Sequence, residues 1–285
     1  MLKAELYWTH FTDQIKDIAI GNEHPMYGIL ADGSGIAALN HGSISPEWTK
    51  LPFQMSDNDG AAPLEISCGA DGSLYAIDEN HQFFKFNKYA KTASEAWQKS
   101  RASFLSIGVG AENQVYGVGM GGNLYNVYDL NQFEAATEAT GFKKVEVATD
   151  GTVIGIQGDN NSCARYIVKR DPSKANFSYP YSSDEFSGNI KAIAAHSANQ
   201  LFMVNENDQI GKVLCQTHII KMKSFLSTFS VVDKEVVWSF DEITDSNTVG
   251  QVIQMDVNLD GVFYVITLLN GAYQTYRVST QHSHK

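Results

Sequence analysis

The run IGVGAENQVYGVG, from Ile107 to Gly119, decides how this chain is read, because variants of it recur along the sequence. IAIGNEHPMYGIL starts at Ile18 and ISCGADGSLYAID at Ile66. Looser copies are VEVATDGTVIGIQ from Val145, IAAHSANQLFMVN from Ile193 and MDVNLDGVFYVIT from Met255. The ninth residue after each anchor is large and apolar: Tyr27, Tyr75, Tyr116, Ile154, Phe202 and Tyr264. Two residues further on stand Ile29, Ile77, Val118, Ile156, Val204 and Ile266, and the residue before each ninth position is also apolar. Agreement at three offsets in six ungapped copies defines a repeat, and a repeat is weighed before any local secondary-structure signal.

Working outward, each copy reads as a β-meander. The anchor segment is a short strand with small residues such as Ala19, Gly69 and Gly108. A turn follows at Asp71-Gly72, Glu112-Asn113, Asp150-Gly151, Asn199 or Asp260-Gly261, residue types that accept positive φ at little cost. The second strand is β-branched and aromatic, as pleated packing favours. A second turn (Asp32-Gly33, Asn80-His81, Gly121-Gly122, Asn207-Asp208, Asn270-Gly271) leads to a third strand. An aromatic in a mixed polar stretch then marks a fourth strand: Trp48, Trp97, Phe133, Phe186 or Trp238. Four-stranded antiparallel units at this period are the mark of a β-propeller, and strands apolar on both faces fit blades packed against blades.

The expected fold is therefore all-β, a six-bladed β-propeller in one domain spanning 1–285. Its blades fall at about 15–52, 63–100, 104–138, 142–188, 190–245 and 251–278. The anchors are spaced 48, 41, 38, 48 and 62 residues apart, so the last gap carries an insertion within Gln216–Gly250. The sixth copy ends near Val278, too early for a fourth strand of its own. Residues 5–11, ELYWTHF with Trp8, are expected to close that blade and join the chain ends.

Composition agrees. The chain has 285 residues, a net charge of −11, 19% charged and 43% hydrophobic residues, enough apolar content to exclude global disorder. The acidic balance leaves no cation excess for phosphate contacts, so nucleic acid is not an expected partner. No run of about 18 apolar residues occurs, hence no membrane-spanning helix is expected. Three scattered cysteines make no disulfide framework, and the N-terminus lacks a signal-peptide core. The expected location is cytoplasmic, or exported without a classical signal peptide.

The pattern resembles tectonin or tachylectin-type β-propeller repeats, in which a Trp strand precedes I-x-V-G, a turn, an L/V-Y/W-x-V/I strand and a further turn-strand. The third copy is nearest: Trp97, Ile107-Gly108-Val109-Gly110, Val115-Tyr116-Gly117-Val118 and Gly122-Asn123-Leu124-Tyr125. Copies four to six lose the glycine, at Ala148, His196 and Asn258. The resemblance implies glycan or glycoconjugate binding at shallow repeated sites, without a cofactor and without catalysis.

Sugar recognition needs aromatic platforms and polar donors. Trp8, Trp48, Trp97 and Trp238 are the candidate platforms, and outer-strand packing is the competing role for each. Asp32, Asn80, His81, Asn123, Asp208 and Asn270 are candidate rim residues that turn chemistry accounts for equally well. Tyr27, Tyr75, Tyr116 and Tyr264 read as core. Two further classes stay open. One is an interaction scaffold, binding a protein partner or a second copy through 216–250, where Phe225, Leu226 and Phe229 lie near Lys221 and Lys223. The other is a calcium-dependent six-bladed hydrolase or lactonase using Asp32, Asp159, Asp208 and Asn270. Asp57-Asn58-Asp59-Gly60 lacks the closing glutamate of a calcium loop. Gly117-x-Gly119-x-Gly121-Gly122 lacks the helix that a phosphate loop needs.

Overall fold

The computed structural model describes residues 5–12, 14–21, 26–40, 47–110, 114–136, 140–148, 151–158, 166–170, 177–178, 190–197, 200–205, 208, 210–219, 234–242, 250–257 and 262–281. Strand β1 (Glu5–Thr12) is followed by β2 (Ile15–Ile20), β3 (Met26–Leu30), β4 (Ile36–Asn40) and β5 (Glu47–Lys50), and the last four form one sheet in chain order. Then come β6 (Pro63–Cys68), β7 (Leu74–Asp78), β8 (Gln82–Phe86), β9 (Trp97–Val109), β10 (Val115–Gly119), β11 (Leu124–Asp129) and β12 (Gln132–Ala135), in a single seven-stranded sheet. Strands β13 (Phe142–Val147), β14 (Val153–Gln157), β15 (Tyr166–Arg170) and β16 (Phe177–Ser178) make the next sheet. They are followed by β17 (Ile190–Ser197), β18 (Gln200–Asn205), β19 (Ile210–Ile219) and β20 (Lys234–Glu242) in another. The last sheet joins β21 (Gln251–Val257), β22 (Phe263–Leu269) and β23 (Ala272–Gln281) to β1, so the two ends of the chain share a sheet. Every strand pair is antiparallel, and Trp8 sits opposite Val278.

The seven-stranded sheet departs from the expected break between 100 and 104. Strand β9 runs without interruption, pairing with β8 through Trp97–Ser103 and with β10 through Phe104–Val109. Gln82 Nε2 donates to the carbonyl oxygens of Ser100 and Ala102 at 2.6 and 2.9 Å, and Ser100 Oγ donates to Leu130 O. These bonds hold the crossing point extended, so no loop forms there. The fourth-strand aromatic expected at Phe186 lies outside the described residues, and Phe177 on β16 pairs with Arg170 instead. Most of the insertion, including Phe225, Leu226 and Phe229, also lies outside them. Its flanks extend β19 and β20, which pair from Gly211–Glu242 to Ile219–Lys234.

The core is a series of layers between neighbouring repeats. Tyr27, Ile29 and Ile36 pack with Ile66, Leu74, Phe84 and Trp97. Tyr75, Ile77 and Phe83 pack with Phe104, Ile107 and Val115, and Tyr116, Val118 and Leu124 with Phe142, Val145 and Val153. Ala194 and Phe202 meet Met255 and Val265, and Ile18 and Met26 meet Tyr264 and Ile266. Strands such as β7 and β10 are buried along their whole length, which accounts for their lack of apolar-polar alternation.

One irregularity recurs in all six repeats. The pairing of the first strand with the second skips a residue two positions before the anchor: Lys16, Leu64, Leu105, Lys143, Lys191 and Ile253. A bulge at a fixed place re-aims the side chains that follow it. Here those are Asp17, Glu65, Ser106, Lys144, Ala192 and Gln254.

Candidate functional site

The first strands β2, β6, β13, β17 and β21 lie at sheet edges, and the Phe104–Val109 part of β9 pairs only with β10, so backbone N–H groups on their other side lack a ladder partner. The re-aimed side chains supply acceptors across the gap. Asp17 Oδ2 accepts from Ile66 N at 3.0 Å, Glu65 Oε1 from Ile107 N at 3.0 Å, and Ser106 Oγ from Val145 N at 3.3 Å. Each is the residue before one anchor meeting the next anchor. A second row, one residue after the anchor, repeats the device. Ser67 Oγ accepts from Val109 N at 3.0 Å, and Asp256 Oδ2 accepts from Ile20 N at 2.7 Å, bringing the last repeat to the first. Lys144 interrupts the row and donates to Gln254 Oε1 at 2.7 Å.

These first strands line a common cavity of about 30 Å3, with wall residues from all six repeats, among them Ala19, Ser67, Gly110, Glu146, Ala195 and Asp256. That volume holds about one water molecule. Burial pushes the Asp17 carboxyl up to about 7, with Glu65 adding to the rise, against the pull of Lys144 and the N–H groups of Ile66 and Ile18. Burial likewise lifts Asp256 to about 7, against the N–H groups of Val257 and Ile20 and the Lys144 charge. Glu65 and Glu146 are also raised, burial again the main cause, and Asp256 adds to the rise at Glu146. Among the described residues, no group of three or more His, Cys, Asp or Glu side chains is placed to hold a metal ion.

A second recess of about 170 Å3 lies at the junction of the first two repeats, walled by Gly33, Ser34, Gly35, Gln54, Ser56, Gly60 and Ala61. Gln54 forms one side and is fully engaged. Its Oε1 accepts from Ile36 N at 2.7 Å, and its Nε2 donates to Leu51 O at 2.7 Å and to Ile36 O at 3.3 Å. Gly35 has φ +152°, and a Cβ there would stand 2.1 Å from Gln54 Oε1, so only glycine lets the amide approach. Residues Met55–Asn58 form a 3-10 turn in which Asp57 Oδ2 accepts from Gln54 N at 2.6 Å. The acidic run at 57–60 is thus helix capping.

The ten sequence-derived site residues fall into four groups. Trp97 is fully buried, donates Nε1–H to Phe53 O at 3.1 Å and has its ring 4.9 Å from Phe86, so its expected role as a sugar platform is corrected to packing. Trp48 on β5 is half-buried, with Phe11 edge-on at 6.5 Å. Trp8 and Trp238 lie on β1 and β20, and their side chains are outside the described part. The turn residues Asp32, Asn80, His81, Asn123, Asp208 and Asn270 occupy second turns. His81, Asp208 and Asn270 hold φ of 60°, 62° and 52°, the left-handed geometry these turns require. Asp32 accepts from Ser34 N at 2.8 Å, which together with the Ser34 hydroxyl lowers its carboxyl. Asp208 pairs with Lys191 and accepts from Val252 N at 2.9 Å. Of the six, Asp32 stands next to the 170 Å3 recess, beside Gly33.

The buried carboxylate rows were missed, although Asp17, Glu65 and Ser106 each directly precede an anchor. That polar-apolar doublet was the available signal.

Edge-stitched antiparallel sheets of this kind define the class: an all-β chain whose structural neighbours are β-propellers and propeller-bearing proteins. The "Streptogramin B lyase structure" aligns at TM-score 0.57 and 9% identity over 96% of this chain and 98% of that one. "YCF48 bound to D1 peptide" aligns at TM-score 0.57 and 11% identity over 95% and 79%. The WD40 β-propeller domain of Doa1 aligns at TM-score 0.54 and 10% identity over 99% and 97%. At such identities the likeness concerns fold alone. No curated protein sequence matches the chain. Residues 2–139 match the Tectonin domain.

Proposed function

We propose that this protein is a carbohydrate-binding, non-enzymatic propeller of six four-stranded blades in one domain, the last blade closed by the N-terminal strand. The observation that carries the lectin-like part is the Tectonin match over residues 2–139. The blade count rests on six repeats with six bulged first strands, with β9 serving two blades at once. The recess beside Gly33 and Gln54 is the proposed sugar subsite, its 170 Å3 being of monosaccharide size. Hydroxyls of Ser34 and Ser56 and the Asp32 carboxylate supply polar contacts at or beside it. A shallow subsite of this kind binds with a Kd near ~1 mM, and several sites engaging one glycan surface raise the functional affinity by about 10²-fold.

A glycan array probed with the full chain tests this reading. Binding to a defined sugar, lost on Ala61→Phe with the melting temperature kept, is the expected result; silence across a broad array refutes it.

A further inference from the structure

A sugar-binding role leaves unused the residues that drop out of register where each first strand pairs with its second: Lys16, Leu64, Leu105, Lys143, Lys191 and Ile253. Each follows a buried residue, and each is itself half-buried or exposed. Glu65 meets Ile107 and, two residues on, Ser67 meets Val109, so these neighbouring strands run the same way. Asp17 meets Ile66 and Ser106 meets Val145 at the same offset. Lys144 joins Gln254 at that level, and Asp208 joins Lys191 to Val252. The six bulges therefore ring one end of the axis. The second turns share that end, since Ile15, Pro63, Phe104 and Gln251 pair with Leu30, Asp78, Gly119 and Leu268.

Apolar side chains gather on this end. Leu64 in the ring is 44% exposed, and Met120 and Leu269 on second turns are 56% and 37% exposed. They are three of the six exposed large apolar side chains among the described residues. Single exposed apolar residues are ordinary, but a group around one axis marks a contact surface. The ring also holds three lysines and no acid, in a chain with 32 Asp+Glu against 21 Lys+Arg. Asp208 pairs with Lys191, and Asp32 and Glu79 lie on second turns outside the ring. Lys16 Nζ leans over its own second turn, 3.4 Å from where a Gly33 Cβ would stand. A second copy placed mouth to mouth would set lysine against lysine, which disfavours self-association here.

We propose that this mouth docks a segment of a partner protein that mixes Asp or Glu with large apolar side chains. The partner's apolar groups cover Leu64, Leu105, Ile253 and Met120, and its carboxylates meet Lys16, Lys143 and Lys191. The apolar contacts supply affinity, and the lysines reject basic segments with the same apolar content. This surface goes beyond sugar binding and does not depend on it.

Random dodecapeptides displayed on phage and selected on the immobilised full chain test the docking, with binders synthesised and titrated by fluorescence anisotropy. Binders sensitive to Leu64→Asp are expected to carry net negative charge together with Leu, Ile or Phe. They should bind Leu64→Asp and Lys16→Glu at least about tenfold more weakly than the wild type. Tyr128→Asp, at an exposed site on β11, is expected to keep the affinity within about twofold. Replacing one acid of the peptide by Lys should restore part of the binding lost in Lys16→Glu. All three variants are expected to melt within about 2 °C of the wild type, which separates lost binding from lost fold. No peptide sensitive to Leu64→Asp, sensitive peptides of net positive charge, or a dimer of the free chain that Leu64→Asp splits overturns the proposal.

Discussion

Replacing Trp97 by Phe separates a structural tryptophan from a ligand platform. Trp97 is fully buried against Phe86, and its indole donates to Phe53 O at 3.1 Å. Phenylalanine keeps an aromatic ring but removes the donor, leaving the Phe53 carbonyl short of a partner, at a cost of about 1–2 kcal/mol. The lost ring volume of about 40 Å3 leaves a cavity worth about 1 kcal/mol more. A total near 2–3 kcal/mol lowers the melting temperature by about 4–12 °C at roughly 2–4 °C per kcal/mol, read by circular dichroism or calorimetry. Sugar binding measured well below the transition is expected to persist, because no face of the indole reaches solvent. A variant that melts like the wild type yet fails to bind glycan would refute the packing assignment and restore Trp97 as a platform.

Gly117→Ala would place a Cβ 2.6 Å from Phe104 Cδ1, and the overpacking is expected to cost about 1–3 kcal/mol in urea unfolding, with Phe104→Leu in the same chain recovering much of it. Additive losses in that double-mutant cycle would count against a direct clash. Burial pushes the Cys68 thiol up, with Asp256 and Asp71 adding to the rise, so a disulfide reagent is expected to label it only after denaturation; rapid labelling of native protein would contradict this. Burial lifts the Tyr27 phenol to about 12, and a spectroscopic titration should show a late ionisation near that pH that is lost in Tyr27→Phe.

The repeat was legible because it is carried by apolar residues whose burial is mutual. Tyr27, Tyr75, Tyr116 and Tyr264 all lie in layers between repeats, as their mid-strand positions implied. The outer strands were legible as aromatics in polar surroundings, and Trp48, Trp97 and Phe133 all lie on strands. Burial at those positions was not legible. Trp48 is half-buried and Trp97 fully so, because the segment 51–58 covers Trp97, a long-range contact absent from any local pattern. The bulges were equally hidden, since an extra residue in one strand shows only against its partner. With the bulge unseen, nothing in the local pattern marks Asp17 and Glu65 as acceptors aimed at the next repeat. The turn residues at the candidate rim were placed on second turns, but their φ values tie several of them to turn geometry in the first instance.

Strand β9 belongs to two repeats, and this limits how the protein can be cut or rebuilt. Each boundary elsewhere falls in a connection, whereas the second and third repeats are spliced through a 13-residue strand with no free backbone at the seam. Protease nicks should therefore spare 100–104 and leave residues 63–135 as one fragment. A circular permutant opened there would lose ladder bonds on both sides, while one opened at the exposed Lys88-Tyr89 turn would lose few. For assembling rings from interchangeable parts, the natural module starts on an outer strand and ends on the third strand of the following repeat, out of phase with the sequence motif.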